Sequence, residues 1–269
     1  MDDHRSGANT GSTPGDIIQV NGLKTQFGSQ VIHDGLDFAV QPGEVMGVVG
    51  GSGTGKSVLM RTIVGLNRAR AGQICVFGED TASLSPKAAR AMQARWGVLF
   101  QDGALFSSLT VVQNIEVPLK EHRKLDKALR RELAELKVSL VGLPPDAAHK
   151  YPSELSGGMR KRAGLARALA LDAEILFLDE PTAGLDPIGA ANFDNLIREL
   201  QSALGLTVVM VTHDLDSLFA ICDRVSVLID KRVKVGTIEQ LMKEPDPWIQ
   251  EYFLGPRGRA ATEAVIKAQ

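Results

Sequence analysis

From residue 16 to residue 236 the chain alternates short apolar runs with longer amphipathic ones. "IIQVNGLKTQFG" and "LDFAVQPGEVMGVVG" read as strands separated by turn signals, with "QPGE" at residues 41–44 a tight turn. "SVLMRTIVGL", residues 57–66, has helical spacing, and "GQICVFGED", residues 72–80, reads as a short strand. "SPKAARAMQAR" is a helix with Ser85 as its N-cap and Pro86 in its first turn. "WGVLFQ", residues 96–101, is a strand that ends in a loop. Then the period changes. "VVQNIEVPLKEH" and "KALRRELAELKVSLVGL" are helical and charged with no strand between them, which predicts a helical insertion at about residues 102–164 of an α/β core. The alternation resumes with "SGGMRKRAGLARALAL" (helix), "AEILFLDEP" (strand), "IGAANFDNLIRELQSAL" (helix), "LTVVMVTHD" (strand) and "LDSLFAICD" (helix). "RVSVLIDKRVKVG" closes it as a hairpin-like pair. Apolar strands alternating with helices predict a mostly parallel sheet covered on both faces.

The two ends depart from this pattern. Residues 1–15 are polar and rich in Gly, Ser and Thr, and are expected to be a disordered arm without an apolar leader core. Residues 245–269 form a tail punctuated by Pro and Gly, with Trp248, Tyr252 and Phe253 close together. That cluster would pack on the chain's own core, clasp a second copy or dock an accessory protein. A composition of 44% hydrophobic and 23% charged residues is ordinary for a soluble globular protein. The formal net charge of −2 gives no support to nucleic-acid binding through bulk charge. The only two cysteines, Cys75 and Cys222, lie far apart in sequence with no ligand-like spacing, which argues against a disulfide framework or zinc site and fits a reducing compartment. No apolar run approaches the ~18–20 residues of a spanning helix, so work at a membrane would need other subunits to span it.

Chemistry enters with "GGSGTGKS", residues 50–57, between an apolar strand and a helix. Glycines let backbone N–H groups crowd around an anion, and the helix N-terminus adds unpaired donors. Lys56 would reach the β/γ-phosphates and the Ser57 hydroxyl would ligate Mg²⁺. "ILFLDE", residues 175–180, is an apolar strand ending in two carboxylates: Asp179 to hold Mg²⁺ through water, Glu180 to orient or deprotonate an attacking water. Gln101 and His213 also follow strands, on the side where parallel-sheet ligands bind. Gln101 could reach the metal or the water, and His213 the γ-phosphate; either could instead be structural. "LSGGM", residues 155–159, is a second glycine-rich helix start, with Ser156 as cap. It is either a plain helix cap or a second anion site. Because the insertion should project away from the chain's own phosphate loop, the anion would belong to another copy.

Taken together, "GGSGTGKS", Gln101, "LSGGM", "ILFLDE", "AGLD" at residues 183–186 and His213 resemble the ATP-binding-cassette (ABC) transporter ATPases in order and spacing. The resemblance covers residues 16–236. It implies a P-loop NTPase (RecA-like) α/β fold with a helical subdomain and an N-terminal antiparallel β subdomain, the cassette occupying residues 16–244. It implies a head-to-tail homodimer in which ATP lies between the phosphate loop of one subunit and "LSGGM" of the other. ATP would be held by Gly50, Gly51, Ser52, Gly53, Thr54, Gly55, Lys56, Ser57 and Val58, with Phe27 stacked on adenine. Ser156, Gly157, Gly158 and Asp186 would act in trans. Glu180, His213, Gln101 and Lys56 would serve hydrolysis, and Ser57, Gln101 and Asp179 would hold Mg²⁺. Two positions depart from the family's usual residues: Phe27 where tyrosine is commoner, and Met159 where glutamine is commoner.

"FQDGALFSSLTVVQNIEVPLKEH", the Met-ending signature followed by "RKRAGLARALAL", and "DEPTAGLDPI" further resemble the ATPases of bacterial lipid transporters that work with Mce-domain proteins, the Mla type among them. That resemblance implies a phospholipid or other lipid cargo, multi-pass permease subunits, a periplasmic Mce-domain protein and, in some systems, a small STAS-domain protein. The chain would then sit at the cytoplasmic face of the bacterial inner membrane. The rival readings are an ABC ATPase for another cargo, a soluble ABC switch acting on DNA or ribosomes, and a scaffold that binds ATP without turnover.

Overall fold

The computed structural model describes residues 15–256 and 258; the expected N-terminal arm, apart from Gly15, and the end of the tail lie outside them. Its strands form two sheets. Four build an antiparallel sheet in the order β2 (Gln30–Val40), β1 (Ile18–Phe27), β4 (Ala71–Val76), β5 (Glu79–Asp80). Ile18, Val20, Leu23 and Thr25 of β1 face inward. That is strict alternation broken once, where a register shift between Val20 and Leu23 brackets Gly22 at φ +60°. The run at residues 72–80, expected as one strand, is two strands joined by a turn. Phe77 and Gly78 both adopt positive φ, 54° and 77°, and fold β5 back on β4. Alternation tells which face a residue takes, and it does not tell whether the chain continues or reverses.

The second sheet has six strands in the order β10 (Arg232–Gly236), β9 (Arg224–Ile229), β3 (Val45–Gly50), β8 (Thr207–Val211), β7 (Ile175–Asp179), β6 (Trp96–Leu99). All neighbours are parallel except β10, which returns antiparallel on β9. The sheet is therefore mostly parallel, as expected, but the first strands of the chain are not part of it. Every residue of β7 and β8 is buried, which is why these strands read as continuous apolar runs.

Helix α1 (Lys56–Ile63) follows β3 and lies between the two sheets. Its Leu59, Met60 and Ile63 share a core with Phe38 and Val40 of β2 and with Phe177 of β7. It stops at Ile63, short of the expected residue 66, with Val64 at the C-cap and Gly65 at φ +82°. Helix α2 (Pro86–Gln93) starts on the Ser85 cap, whose hydroxyl accepts from Ala88 N–H at 3.3 Å. The helical insertion holds α3 (Val111–His122) and α4 (Lys127–Leu140), and α5 (Gly157–Ala168) returns the chain to the sheet. Gly164 allows that return, since a Cβ there would sit 2.7 Å from Leu99 Cδ1. A Cβ on Gly97 of β6 would likewise run into the Ala168 carbonyl. Beyond β7 come α6 (Pro187–Leu204), α7 (Leu215–Ile221), α8 (Ile238–Leu241) and α9 (Pro247–Leu254). α9 carries the tail's aromatic cluster and packs on the chain's own core, with Ile249 and Phe253 fully buried against Val49, Leu218 and Val227.

Parallel pairing sets the level of the strand ends. Val48 pairs with Val211, Asp179 also pairs with Val211, and Gly50 pairs with Leu228. The loops leaving β3, β7 and β8 therefore emerge side by side at one edge of the sheet.

Candidate functional site

The loop from Gly50 to Gly55 wraps this edge, and its shape depends on glycine. Gly50, Gly53 and Gly55 take φ of 152°, 76° and 105°. A Cβ on Gly50 would lie 2.7 Å from the Leu228 carbonyl, and one on Gly55 would lie 2.5 Å from His33 Nε2. Gly55 caps α1 without a side-chain acceptor, so the first amides of that helix stay available to an anion. Lys56 Nζ donates to the carbonyls of Gly50 (2.9 Å) and Gly51 (3.0 Å), so the ammonium is folded onto its own loop. Burial pushes the Lys56 pKa down, and the nearby carboxylates of Glu180 and Asp179 oppose that shift.

The Ser57 hydroxyl donates to Asp179 Oδ1 at 3.0 Å, and Arg61 Nη2 stands 3.9 Å from the other carboxylate oxygen. Asp179 ends β7 and is buried. No group of three or more His, Cys, Asp or Glu among the described residues could hold a metal. Two protein oxygens beside a phosphate cradle fit Mg²⁺ that arrives with phosphate oxygens, rather than a caged resident ion. Gln101 is exposed just past β6; its carbonyl accepts from Lys161 Nζ, and no hydrogen bond brings its side chain to Ser57 or Asp179.

Glu180 has φ +50°, a rare conformation for a glutamate, and its N–H is tied to the Val211 carbonyl at 2.8 Å. The turn aims its carboxylate at the loop after β8, where His213 Nδ1 lies 2.7 Å from Glu180 Oε2. His213 is 74% exposed and Glu180 18% exposed. Together with Thr182, Gly184 and Asp214 they line a cavity of about 440 Å³. Thr182 and Ser217 hydroxyls both reach Asp214 Oδ2, at 3.4 and 3.3 Å, linking the two loops.

The second glycine-rich motif stands apart. Ser156 caps α5 by accepting from Met159 N–H at 3.2 Å. The nearest atom to a Cβ on Gly157 or Gly158 would be Leu185 Cδ2 at 3.9 Å, so the helix start faces open space. Asp186 caps α6 through Gly189 N–H at 2.9 Å. Phe27, at the end of β1, is 52% exposed. One chain therefore gathers Lys56, Ser57, Asp179, Glu180 and His213, and leaves Phe27, Ser156, Gly157, Gly158 and Asp186 elsewhere on its surface.

The sequence reading passed over two residues of the site. Lys161 is buried in α5, and its ammonium donates to the Gln101 carbonyl and to the Glu180 carbonyl at 3.1 Å. It shares a helical face with Leu165 and Ala168, a signal that one lysine points inward. His33 is fully buried beneath Gly55, bonded to Thr25 Oγ1 through Nδ1 at 2.8 Å. Burial lowers its pKa to about 4, partly offset by the Gly55 backbone.

The model of the ABC transporter family matches residues 33–183, more than half of the chain. The chain belongs to the ABC transporter ATPase family. This cassette is 38% identical over 240 residues to the intermembrane phospholipid transport system ATP-binding protein MlaF of Haemophilus influenzae, covering 89% of this chain and 90% of MlaF. It is 40% identical over 241 residues to the probable ribonucleotide transport ATP-binding protein mkl of Mycobacterium tuberculosis, covering 89% of this chain and 67% of that protein. Among solved structures, the dimeric post-hydrolysis ATP-binding cassette MJ0796 bound to ADP and Pi superposes with a TM-score of 0.74. That match has 26% identity and covers 82% of this chain and 98% of the other. The cassette is thus an ATP-binding, ATP-hydrolysing domain. No helix among its described residues is long and apolar enough to cross a membrane.

Proposed function

We propose that the cassette is the ATP-hydrolysing motor of a bacterial transporter that moves phospholipid or another lipid between the inner and outer membranes. The observation that carries this is the nearly end-to-end match with MlaF, which leaves little of either chain uncovered. In this reading it sits at the cytoplasmic face of the inner membrane on a multi-pass permease, with a periplasmic Mce-domain partner and, in some systems, a small STAS-domain protein. A second reading, ribonucleotide transport, takes its support from the likeness to mkl, a third of which has no counterpart here.

The work is divided among the chain's residues as follows. The amides of the Gly50–Ser57 loop and the Lys56 ammonium, released from the Gly50 and Gly51 carbonyls, hold the β/γ-phosphates. Mg²⁺, held by Ser57 and Asp179, offsets charge on those phosphates when bound. Glu180 orients and deprotonates water for attack on the γ-phosphorus; the bond to the ADP oxygen breaks and phosphate leaves. His213 holds the water, Glu180 and γ-phosphate in line. Ser156, Gly157 and Gly158, open at the head of α5, close on the ATP of a second subunit, with Asp186 at the seam and Phe27 on the adenine. Closure moves α3 and α4, and the loop at Gln101 passes that motion to the permease.

The test is recovery of tagged Glu180→Gln protein from detergent-solubilised native membranes in ATP, with proteins, lipids and nucleotides identified by mass spectrometry. A permease with an Mce-domain protein and enriched phospholipid is expected. Ribonucleotide enrichment would favour the second reading, and absence of any membrane partner would refute both.

A further inference from the structure

The tail's aromatic cluster has no task in that scheme, yet α9 carries it to the hydrolysis edge. Ile249 and Phe253 anchor one face of the helix in the core. Trp248 and Tyr252 stack on each other with ring centroids 4.8 Å apart and an interplanar angle of 14°. A Cβ on Gly51 would lie 3.9 Å from the Trp248 indole nitrogen, so the stack reaches the phosphate loop. The same two rings line a cavity of about 420 Å³ with His213, Leu215 and Glu251. The Tyr252 hydroxyl is buried and has no hydrogen-bond partner among the described residues. Burial raises its pKa, and the charges of Glu180 and Asp214 add to that, so the phenol keeps its proton beside both loops.

Packing alone does not explain a tyrosine here. Phenylalanine would make the same stack without leaving a polar group buried and unpaired. An orphaned hydroxyl beside a site that changes state points to a partner it meets in another step of the cycle. His213, whose Nδ1 lies 2.7 Å from Glu180 Oε2, is 74% exposed and lines the same cavity as Tyr252, so the loop that meets water and γ-phosphate in the proposed cycle borders the phenol.

We propose that Trp248 and Tyr252 are positioning residues for ATP hydrolysis: the stack braces the turn at Gly51, and the Tyr252 hydroxyl donates to the His213–Asp214 loop when ATP is bound. The inference rests on the reading of Glu180 and His213 as hydrolytic residues.

Two measurements test it. In the first, MgATP hydrolysis by the full-length chain, and by the complex recovered with it from membranes, is compared for wild type, Tyr252→Phe and Glu180→Gln. Tyr252→Phe should lose about tenfold in kcat, the worth of one hydrogen bond made on the way to the transition state, with KM within about twofold. Its melting temperature should equal or exceed wild type, because only an unpaired hydroxyl is lost. Wild-type kcat overturns the proposal, and so does a kcat loss accompanied by a lower melting temperature, which is the mark of packing. If Glu180→Gln hydrolyses ATP normally, the underlying reading fails; if it is inactive while Tyr252→Phe is normal, only this inference fails. In the second, Trp96→Phe leaves Trp248 as the sole tryptophan of the two in the chain. Its fluorescence should change on MgATP titration and stay constant when Lys56→Ala is added. A flat titration of Trp96→Phe protein overturns the contact between stack and loop.

Discussion

Lys161→Met isolates a contact that joins the helical insertion to the hydrolysis edge. The buried ammonium gives two hydrogen bonds, one to the Gln101 carbonyl and one to the Glu180 carbonyl at 3.1 Å. Methionine has similar length and fills the space, so the change removes the charge and both bonds and leaves little cavity. Each charge-assisted bond is worth about 1.5–3 kcal/mol. Against that stands the cost of burying the ammonium, which also lowers its pKa. The balance is a loss of roughly 2 kcal/mol, or about 5 °C in Tm for a domain of this size. Glu180 holds an unfavourable φ of +50°, and Lys161 is one of the ties that keep it there. We therefore expect kcat to fall about tenfold, since the strain is maintained only by its surroundings. KM for MgATP should stay nearly unchanged, because Lys161 makes no bond to the Gly50–Ser57 loop. Scanning calorimetry and a phosphate-release assay on the same preparation read both effects. A variant that melts with wild type and hydrolyses ATP at the wild-type rate would show that Lys161 does not hold the Glu180 turn.

Gly55→Ala should abolish nucleotide binding and cost about 2 kcal/mol or more, because φ is 105° and the new Cβ would meet Ile32 and His33 at 2.5 Å; isothermal titration with MgATP checks it. His33 has a folded pKa of about 4, below its ordinary 6.5, so its contribution to stability is intact above pH 6.5 and is lost as pH falls toward 4. Urea unfolding at pH 7.5 and pH 5 should show a drop of roughly 2 kcal/mol that His33→Gln does not show. Asp194 behaves with the opposite sign. Burial raises its pKa to about 6 from 3.8, Ser217 gives it one hydrogen bond at 2.7 Å, and Oδ1 has no partner among the described residues. A raised acid pKa penalises the fold as pH climbs through 4 to 6, so Asp194→Asn should be more stable by about 3 kcal/mol at pH 7.5 and equal to wild type well below pH 4.

Much of the site was legible because parallel strands end on the same side. Once "VMGVVG", "ILFLD" and "TVVMV" are read as neighbouring parallel strands, the glycine loop, Asp179, Glu180 and His213 have to share an edge. The separate antiparallel sheet was legible only through family resemblance, since alternation in β1 and β2 fixes a face and names no partner strand. The turn at Phe77 was missed because an aromatic residue at φ 54° violates the residue's own preference, and only the surrounding hairpin enforces it. Lys161 was missed because a lysine in a basic helix reads as solvated, and its acceptors lie 60 and 19 residues away in sequence. Trp248 was visible as part of a cluster, but its approach to Gly51 joins residues 197 apart in sequence and exists only in the folded state.

In the proposed cycle the ATP site is completed in trans by the open start of α5. The deciding measurement is light scattering on Glu180→Gln protein, with MgATP and with MgADP, alongside a Ser156→Arg version of the same variant. Glu180→Gln should be a dimer with MgATP and a monomer with MgADP. Once Ser156→Arg is added, it should be a monomer in both nucleotides, with MgATP still bound to the phosphate loop. A Glu180→Gln chain that stays monomeric with MgATP bound, or a dimer indifferent to Ser156→Arg, would rule out closure in trans.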